Sequence, residues 1–215
     1  MTTSLKSRLR IPDKPPPELK VKVISTKEEA AAGLRILHDC YVEEGLMRKH
    51  PSGMRVTKYH MLRDTKMIIA YWSGRPVATL TLVRDGVLWL PSDEVFDLRG
   101  IRATANSIAE ISSLAIIPEF RGRPDILFAI AGCGGRYVCE WTDCVAALIS
   151  VNPTHKEFYE KVLHFRTVPG TAEEKCRAVD GAPAVCLYAD ATTWPDTMRK
   201  RSPPVARYIW SVTYE

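Results

Sequence analysis

Two prolines and the turn between them fix the middle of this chain. Residues 108–117 read Ile-Ala-Glu-Ile-Ser-Ser-Leu-Ala-Ile-Ile, a β-rich run stopped by Pro118, because proline brings no N–H to a strand ladder. Beyond the turn Glu119-Phe-Arg-Gly-Arg, Pro124 stands where a first helical turn favours it. Ile126, Ile130, Cys133, Tyr137 and Trp141 then recur as an apolar stripe at helical spacing, and residues 145–151 read as a buried strand. Strand, turn, helix and strand in succession predict a mixed α/β fold.

The flanking segments fit the same class. Residues 19–24 form a short strand, and Ser25 or Thr26 caps a helix carrying Ala30, Leu34, Leu37 and Tyr41, which Gly45 ends. After a basic stretch over 48–66, residues 67–72 and 77–83 flank Gly74-Arg75-Pro76 as an antiparallel hairpin. Asp85-Gly86 is the next turn, 89–96 is irregular and 97–106 holds a short helix and a loop. Asn152-Pro153-Thr154 starts a helix through Leu163, and strands near 165–168 and 184–188 complete the sheet. Residues 1–18, with Lys6, Arg8, Arg10 and Pro15-Pro16-Pro17, read as a basic, stiff N-terminal arm. One domain is expected over 19–191, with 192–215 as a C-terminal extension packing on or beside it.

Composition narrows the function classes. The longest apolar stretch, residues 126–133, is far short of the ~20 residues of a spanning helix. The N-terminus carries charge but no apolar core of a secretory signal. Cys40, Cys133, Cys139, Cys144, Cys176 and Cys186 show no zinc spacing, so reduced thiols in a cytoplasmic protein are expected. A net charge of +5 permits an acidic partner without demanding one. Nucleic acid is disfavoured as that partner, because the chain has no aromatic-interleaved basic motif, recognition-helix signature or RNP-like strand.

Glu110 is the first candidate for chemistry. Lying among Ile108, Ile111, Leu114 and Ile116, its carboxylate would be desolvated on one face, which raises its pKa toward the range of a general base. The alternative is a structural carboxylate paired with an arginine. Tyr159 follows His155 by four residues, so the two share a helix face; with Phe158 and Val162 it could equally serve packing alone.

Three segments in order, Glu110-Ile-Ser-Ser-Leu-Ala-Ile-Ile, Pro118-Glu-Phe-Arg-Gly-Arg and Val151-Asn-Pro-Thr-His-Lys-Glu-Phe-Tyr-Glu-Lys-Val-Leu-His-Phe, resemble the GNAT acyltransferase superfamily over about residues 20–190. The first segment is similar to the Glu-x-Ser-Arg-x-Ala-Val strand of acyl-homoserine-lactone synthases and of long-chain N-acyl amino acid synthases, with Ser113 in place of the arginine. Leu90-Pro-Ser-Asp and Val95-Phe96 resemble the second group, which puts the amino acid synthases ahead.

The resemblance implies a central, mostly antiparallel, V-splayed mixed sheet flanked by helices. It implies an N-acyltransferase in which Glu110 is the base and Tyr159 protonates the departing thiolate. Leu114 and Ile116 of the strand, Arg121, Gly122 and Arg123 of the turn, and Asn152 would contact the donor's phosphopantetheine. No permanently bound cofactor is implied, only acyl carrier protein or acyl-coenzyme A as co-substrate. Coenzyme A users carry Arg-Gly-x-Gly-x-Gly or -Ala at the turn, where glycines let N–H groups approach the pyrophosphate. Here Pro124 has no N–H and Asp125 adds a negative charge, which favours acyl carrier protein. Its basic landing surface would be Arg48, Lys49, Arg55, Lys58, Arg63 and Lys66, or Arg199, Lys200, Arg201 and Arg207. The expected reaction is transfer of a fatty acyl group to the amine of an amino acid or similar small amine. The alternatives are an acetyl-coenzyme A-dependent N-acetyltransferase and a non-catalytic module of the same shape.

Overall fold

The computed structural model describes residues 10–214, so Lys6 and Arg8 of the basic arm lie outside the described residues. β1 (Leu19–Val23) leads into α1 (Lys27–Glu43). Thr26 caps that helix reciprocally: its hydroxyl accepts the Glu29 N–H and the Glu29 carboxylate accepts the Thr26 N–H, both at 3.2 Å. β2 (Lys66–Trp72) and β3 (Arg75–Arg84) form the expected antiparallel hairpin. Its turn is Ser73-Gly74, both at positive φ (50° and 81°), the handedness that matches strand twist in a two-residue turn. Arg75 and Pro76, expected in the turn, instead begin β3, with Pro76 opposite Tyr71 where the register slips. A proline without an N–H is tolerated at such a bulge.

Between β3 and the central strand lie a 3-10 turn, Pro91–Glu94, and the short α2 (Arg99–Arg102). β4 (Ile108–Ile116) then pairs antiparallel with β3. Thr79 faces Ala115 but Thr81 faces Ser112, so β4 holds one extra residue there, and Ser113 takes a φ of 53°. Such a bulge bends its strand and sharpens its twist.

α3 (Pro124–Trp141) carries the chain to β5 (Ala146–Val151). β5 lies parallel to β4 through only Ile108↔Ala146, Ala109↔Ala147 and Glu110↔Leu148. Past Glu110 the bulged strand swings away, no ladder joins the two, and the sheet opens into a V. α4 (Lys156–Lys161) follows β5, preceded by a 3-10 turn, Pro153–His155. β6 (Arg166–Thr167) and β7 (Glu174–Cys176) both pair with β8 (Ala182–Asp190), which lies antiparallel along β5. The order across the sheet is β1-β2-β3-β4-β5-β8-β6, with β7 also on β8. Among the described residues β4–β5 is the one parallel ladder, beside an isolated parallel bridge between Val21 of β1 and Tyr214.

Alternate residues of β3 point to opposite faces. Leu80 meets α3 at Gly134, and Thr79 meets α1 at Gly33. On the α3 side the core also takes in α5 (Trp194–Arg201) and α6 (Pro203–Ser211): Trp194, Met198, Val205, Tyr208 and Ile209 are buried with Ile126, Phe128 and Ile130. The opposite face carries Leu90, Phe96, Leu98 and Ile101 against Ile108 and Leu148. Among the described residues no helix is long and apolar enough to cross a membrane.

α3 contains glycines where alanine would be the better helix former by about 1 kcal/mol. Packing explains two of them. A Cβ at Gly132 would stand 2.7 Å from Ile209, and one at Gly135 would stand 2.9 Å from Trp194. Gly132→Ala is therefore expected to lower the melting temperature despite its gain in helix propensity, since overpacking costs about 1–3 kcal/mol. Thermal melts of Gly132→Ala, Ile209→Ala and the double variant check this. The double variant should be more stable than the summed single losses, and simple additivity would contradict the contact.

Candidate active site

The parted strands open onto a cavity of about 1420 Å³ that reaches from the 3-10 turn Pro91–Glu94, through the fork, to α3 and the C-terminal helices. Glu110 is the last β4 residue in the parallel ladder, and its side chain lines the cavity while only 1% of the residue is exposed. Its partner is not an arginine: Glu110 Oε2 accepts the backbone N–H of Ser92 at 2.9 Å. Burial pushes its pKa up to about 7, the hydrogen bonds from Ser92 hold it down in part, and the charges of Asp93 and Glu94 push it up again. A rise from 4.5 to about 7 corresponds to about 3 kcal/mol between the two protonation states. The folded state keeps this proton where the unfolded chain has released it. The stabilisation that goes with it is whole below pH 4.5 and is lost as the pH rises through about 7.

A network outside the cavity holds Ser92 in place. Asp93 Oδ2 accepts the Leu90 N–H at 2.8 Å and closes the turn. The Arg102 guanidinium donates to both Asp85 (2.6 and 3.0 Å) and Asp93 (2.6 and 2.5 Å), and it lies 4.7 Å from the centre of the Trp89 ring. On the cavity side, the Tyr59 hydroxyl donates to Glu94 (3.0 Å) and to the Leu90 carbonyl (3.3 Å), while Lys58 pairs with Glu94 at 2.9 Å. His60 Nδ1 accepts the Thr57 N–H at 3.0 Å, and its Nε2 lies 3.3 Å from Thr81 Oγ1. Burial holds its pKa below the usual histidine value, so the ring is neutral at pH 7.

The other arm of the fork comes from β5 and α4. Asn152 Oδ1 accepts the N–H (3.0 Å) and hydroxyl (2.8 Å) of Thr154, which starts the short helical segment. That segment brings His155 and Tyr159 to the cavity. The Tyr159 ring packs edge-on against Phe158 (5.4 Å) and Phe165 (6.1 Å), and burial pushes its phenol up to about 12, so it carries its proton at neutral pH.

The cavity wall gathers Glu110, Leu114, Arg121, Asn152 and Tyr159; Ile116, Gly122 and Arg123 lie outside it. Neither arginine of the turn is without a partner. Arg121 pairs with Glu43 (2.8 Å) and Glu44 (2.5 Å) and donates to the Ile116 carbonyl. Arg123 pairs with Asp125 at 2.6 Å and stacks 3.9 Å from the Trp72 ring centre. Of the basic residues before the hairpin, Arg55 and Lys58 line the cavity, Arg48, Lys49 and Arg63 are exposed, and Lys66 is half-buried at the start of β2. Arg199, Lys200, Arg201 and Arg207 are exposed on the C-terminal helices, with Arg199 paired to Asp196.

The model of the N-acyl amino acid synthase FeeM family matches residues 32–190. The chain belongs to this family. It is an N-acyltransferase with a GNAT-type fold that uses an acyl donor as co-substrate. The structure of FeeM, an N-acyl amino acid synthase from uncultured soil microbes, superposes with a TM-score of 0.72 at 20% identity, covering 84% of this chain and 95% of that one. A coenzyme A-dependent acyl-homoserine lactone synthase, BjaI, solved with SAM and isopentyl-CoA, gives 0.63 at 16% identity over 92% and 93%. An acyl-CoA N-acyltransferase from Pseudomonas aeruginosa gives 0.56 at 16% identity over 79% and 98%. No curated protein matches. α5 and α6 lie beyond the FeeM family match.

Sequence reasoning did not single out Ser92, Tyr59, His60 or Arg102 as site residues. Leu90-Pro-Ser-Asp carried a family-like signal, but no local pattern pointed to His60 or to the Arg102 fork. Arg102→Met leaves two part-buried carboxylates unpaired and should cost about 2 kcal/mol in urea melts, below the range for a fully buried pair. Turnover of the folded fraction should fall as well, because Ser92 is no longer held against Glu110. Lost stability with unchanged turnover would show that the fork does not position the carboxylate.

Proposed function

We propose that this enzyme moves a fatty acyl group from acyl carrier protein to the amine of an amino acid or similar small amine. The observation that carries the reading is the continuity of one cavity. Its polar end holds Glu110, and its apolar end runs between β5 and α3 past Leu127, Ala131, Ile149, Leu163, Trp194 and Ile209. An acyl chain fits the apolar branch, a thioester arm fits the fork, and an amine fits the polar end. The facing edges of β4 beyond Glu110 and of β5 beyond Leu148 have no ladder between them. Their backbone groups are suited to the amides of a phosphopantetheine arm, as an extended peptide adds to a sheet edge.

In the proposed reaction Glu110 takes a proton from the ammonium, directly or through a water. The free amine attacks the thioester carbonyl and forms the C–N bond. The tetrahedral intermediate expels the thiolate as the C–S bond breaks, and Tyr159 gives the thiolate its proton. The attacking nitrogen, cationic after attack, sheds its second proton to solvent, and the proton held on Glu110 passes through solvent to restore the phenol, so the products are an amide, a thiol and one released proton. Leu114, Arg121 and Asn152 border the donor's path, with Ile116, Gly122 and Arg123 behind that wall.

Two features favour a carrier protein. At the start of α3, where a pyrophosphate would bind, Pro124 offers no N–H and the Asp125 carboxylate already holds Arg123. Exposed Val56 (52%) and Met61 (79%) fall in the same stretch of sequence as exposed Arg48, Lys49 and Arg63, a mix of apolar and basic surface residues suited to an acidic partner. Acyl-coenzyme A is the second reading, favoured by the likeness to BjaI, which is coenzyme A-dependent.

Glu110→Gln should lower turnover about 10²–10⁴-fold and remove a limb of the pH profile that rises through about pH 7. Tyr159→Phe should slow every acyl chain length equally with little change in melting temperature. A lower melting temperature with normal turnover would leave Tyr159 a packing residue. Steady-state assays of thiol release should give acyl carrier protein a higher kcat/KM than the matching acyl-coenzyme A. Added salt should erode that advantage, and charge reversal at Arg48, Lys49 and Arg63 should raise KM for the carrier alone. A coenzyme A donor preferred at every salt concentration would overturn the carrier assignment.

A further inference from the structure

The apolar branch of the cavity follows one stripe of α3. Leu127, Ala131, Gly135 and Cys139 all line it. They recur every four residues and so share a helix face, each standing about 6 Å beyond the last. One side chain crosses this line. The Trp194 indole donates its Nε1–H to the Leu163 carbonyl at 2.7 Å, and the far side of its six-membered ring meets Gly135, where a Cβ would stand 2.9 Å from it. Leu163 and Gly135 are both walls of the cavity, so the ring reaches from one wall to another. Leu127 and Ala131 precede it on the stripe, whereas Cys139 lies a turn beyond it.

The ring is also held from other sides. Trp210 packs against it with ring centres 5.7 Å apart, and Trp194 is buried. The helices that carry both rings are tied to the walls they meet. The Tyr208 hydroxyl donates to the Asp125 carbonyl at the start of α3 (2.8 Å), and Arg136 donates to the Val212 carbonyl (3.2 Å). The Ser202 hydroxyl donates to the Val162 carbonyl just after α4 (2.9 Å). A close-packed ring fixed in this way does not give way cheaply. The family match ends at residue 190, so Trp194 lies outside the residues that the family assignment covers.

We propose that Trp194, standing across the apolar branch at Gly135, sets the longest acyl chain the enzyme accepts. This rests on the acyl-transfer reading above and adds the residue that limits its donor. A chain entering from the fork gains about fourfold in binding for each methylene it buries while it runs along Leu127 and Ala131. The first carbon to reach the indole has no further room and must displace a packed ring, which overpacks the core. Activity plotted against chain length therefore climbs and then breaks off. Because Cys139 borders the cavity on the far side of the ring, shrinking the ring opens a path to longer chains.

The test measures thiol release from saturated acyl thioesters of increasing length, on acyl carrier protein and on coenzyme A, with one amine acceptor. The unmodified enzyme should show kcat/KM rising to an optimum and then falling roughly tenfold or more within the next few carbons, the scale of overpacking. Trp194→Leu should move the optimum to longer chains, and Trp194→Phe should move it less. Adding Cys139→Leu to Trp194→Leu should move the optimum back. Ala131→Leu, on the near side of the ring, should shorten it in an enzyme whose Trp194 is intact, which keeps the test decisive where Trp194→Leu does not fold. An optimum that stays in place in the folded Trp194 variants would overturn the proposal, as would one that Ala131→Leu leaves unmoved. No thiol release at any chain length would instead reject the acyl-transfer reading.

Discussion

The parallel ladder between β4 and β5 is only three residue pairs long, and the site depends on where it ends. A ladder continued to Ile116 would close the sheet and leave nowhere for a thioester arm. The extra residue at Ser113 ends it by bending β4, and a serine at φ 53° is held there against its own preference by about 1–2 kcal/mol. Glu110 lies at the last paired position. Its backbone is therefore fixed by strands on both sides, whereas its carboxylate faces the opening. Rigid placement and a desolvated side chain come from the same strand end.

That placement carries an electrostatic cost, which the surroundings limit. A carboxylate excluded from water keeps its proton to higher pH, and hydrogen bonding from Ser92 moderates this without cancelling it. The N–H is held by a turn whose Asp93 is secured from outside by Arg102. The other charged groups at the cavity are handled differently: Lys58 and Arg121 are spent on local carboxylates, which leaves Arg55 as the source of positive potential among them. The apolar end is built by subtraction. Glycines of α3 let Trp194 and Ile209 from the C-terminal helices come close, so helices beyond the family match contribute to the wall of its cavity.

Much of this was legible in the sequence. The strand ended by Pro118, the helix opened by Pro124 and the cap at Thr26 follow from local rules that no tertiary contact overturned. Glu110 stood out as an acidic group amid apolar neighbours, and Tyr159 through the resemblance of its segment to the GNAT superfamily. β7 was not legible, since Glu174-Lys175-Cys176 has neither alternation nor β-branching and exists only because β8 offers an edge. The C-terminal helices were obscured by prolines and a charged run whose apolar positions make sense only against α3. Ser92, His60 and Arg55 act through contacts that span many residues of chain. Arg55 looked like one more charge of a basic stretch, and only its lack of a carboxylate partner among the described residues sets it apart.

The central claim is that burial at the strand end turns Glu110 into a base poised near neutrality, and direct titration tests it most closely. Glutamate labelled with carbon-13 at the side-chain carboxyl, followed by NMR across pH 4 to 9, gives the midpoint for that one carbon once Glu110→Gln identifies its signal. The account predicts a midpoint near 7, well apart from the exposed glutamates. A midpoint at or below 4.5 would contradict it, leaving a carboxylate that is ionised throughout and no longer tuned by its burial.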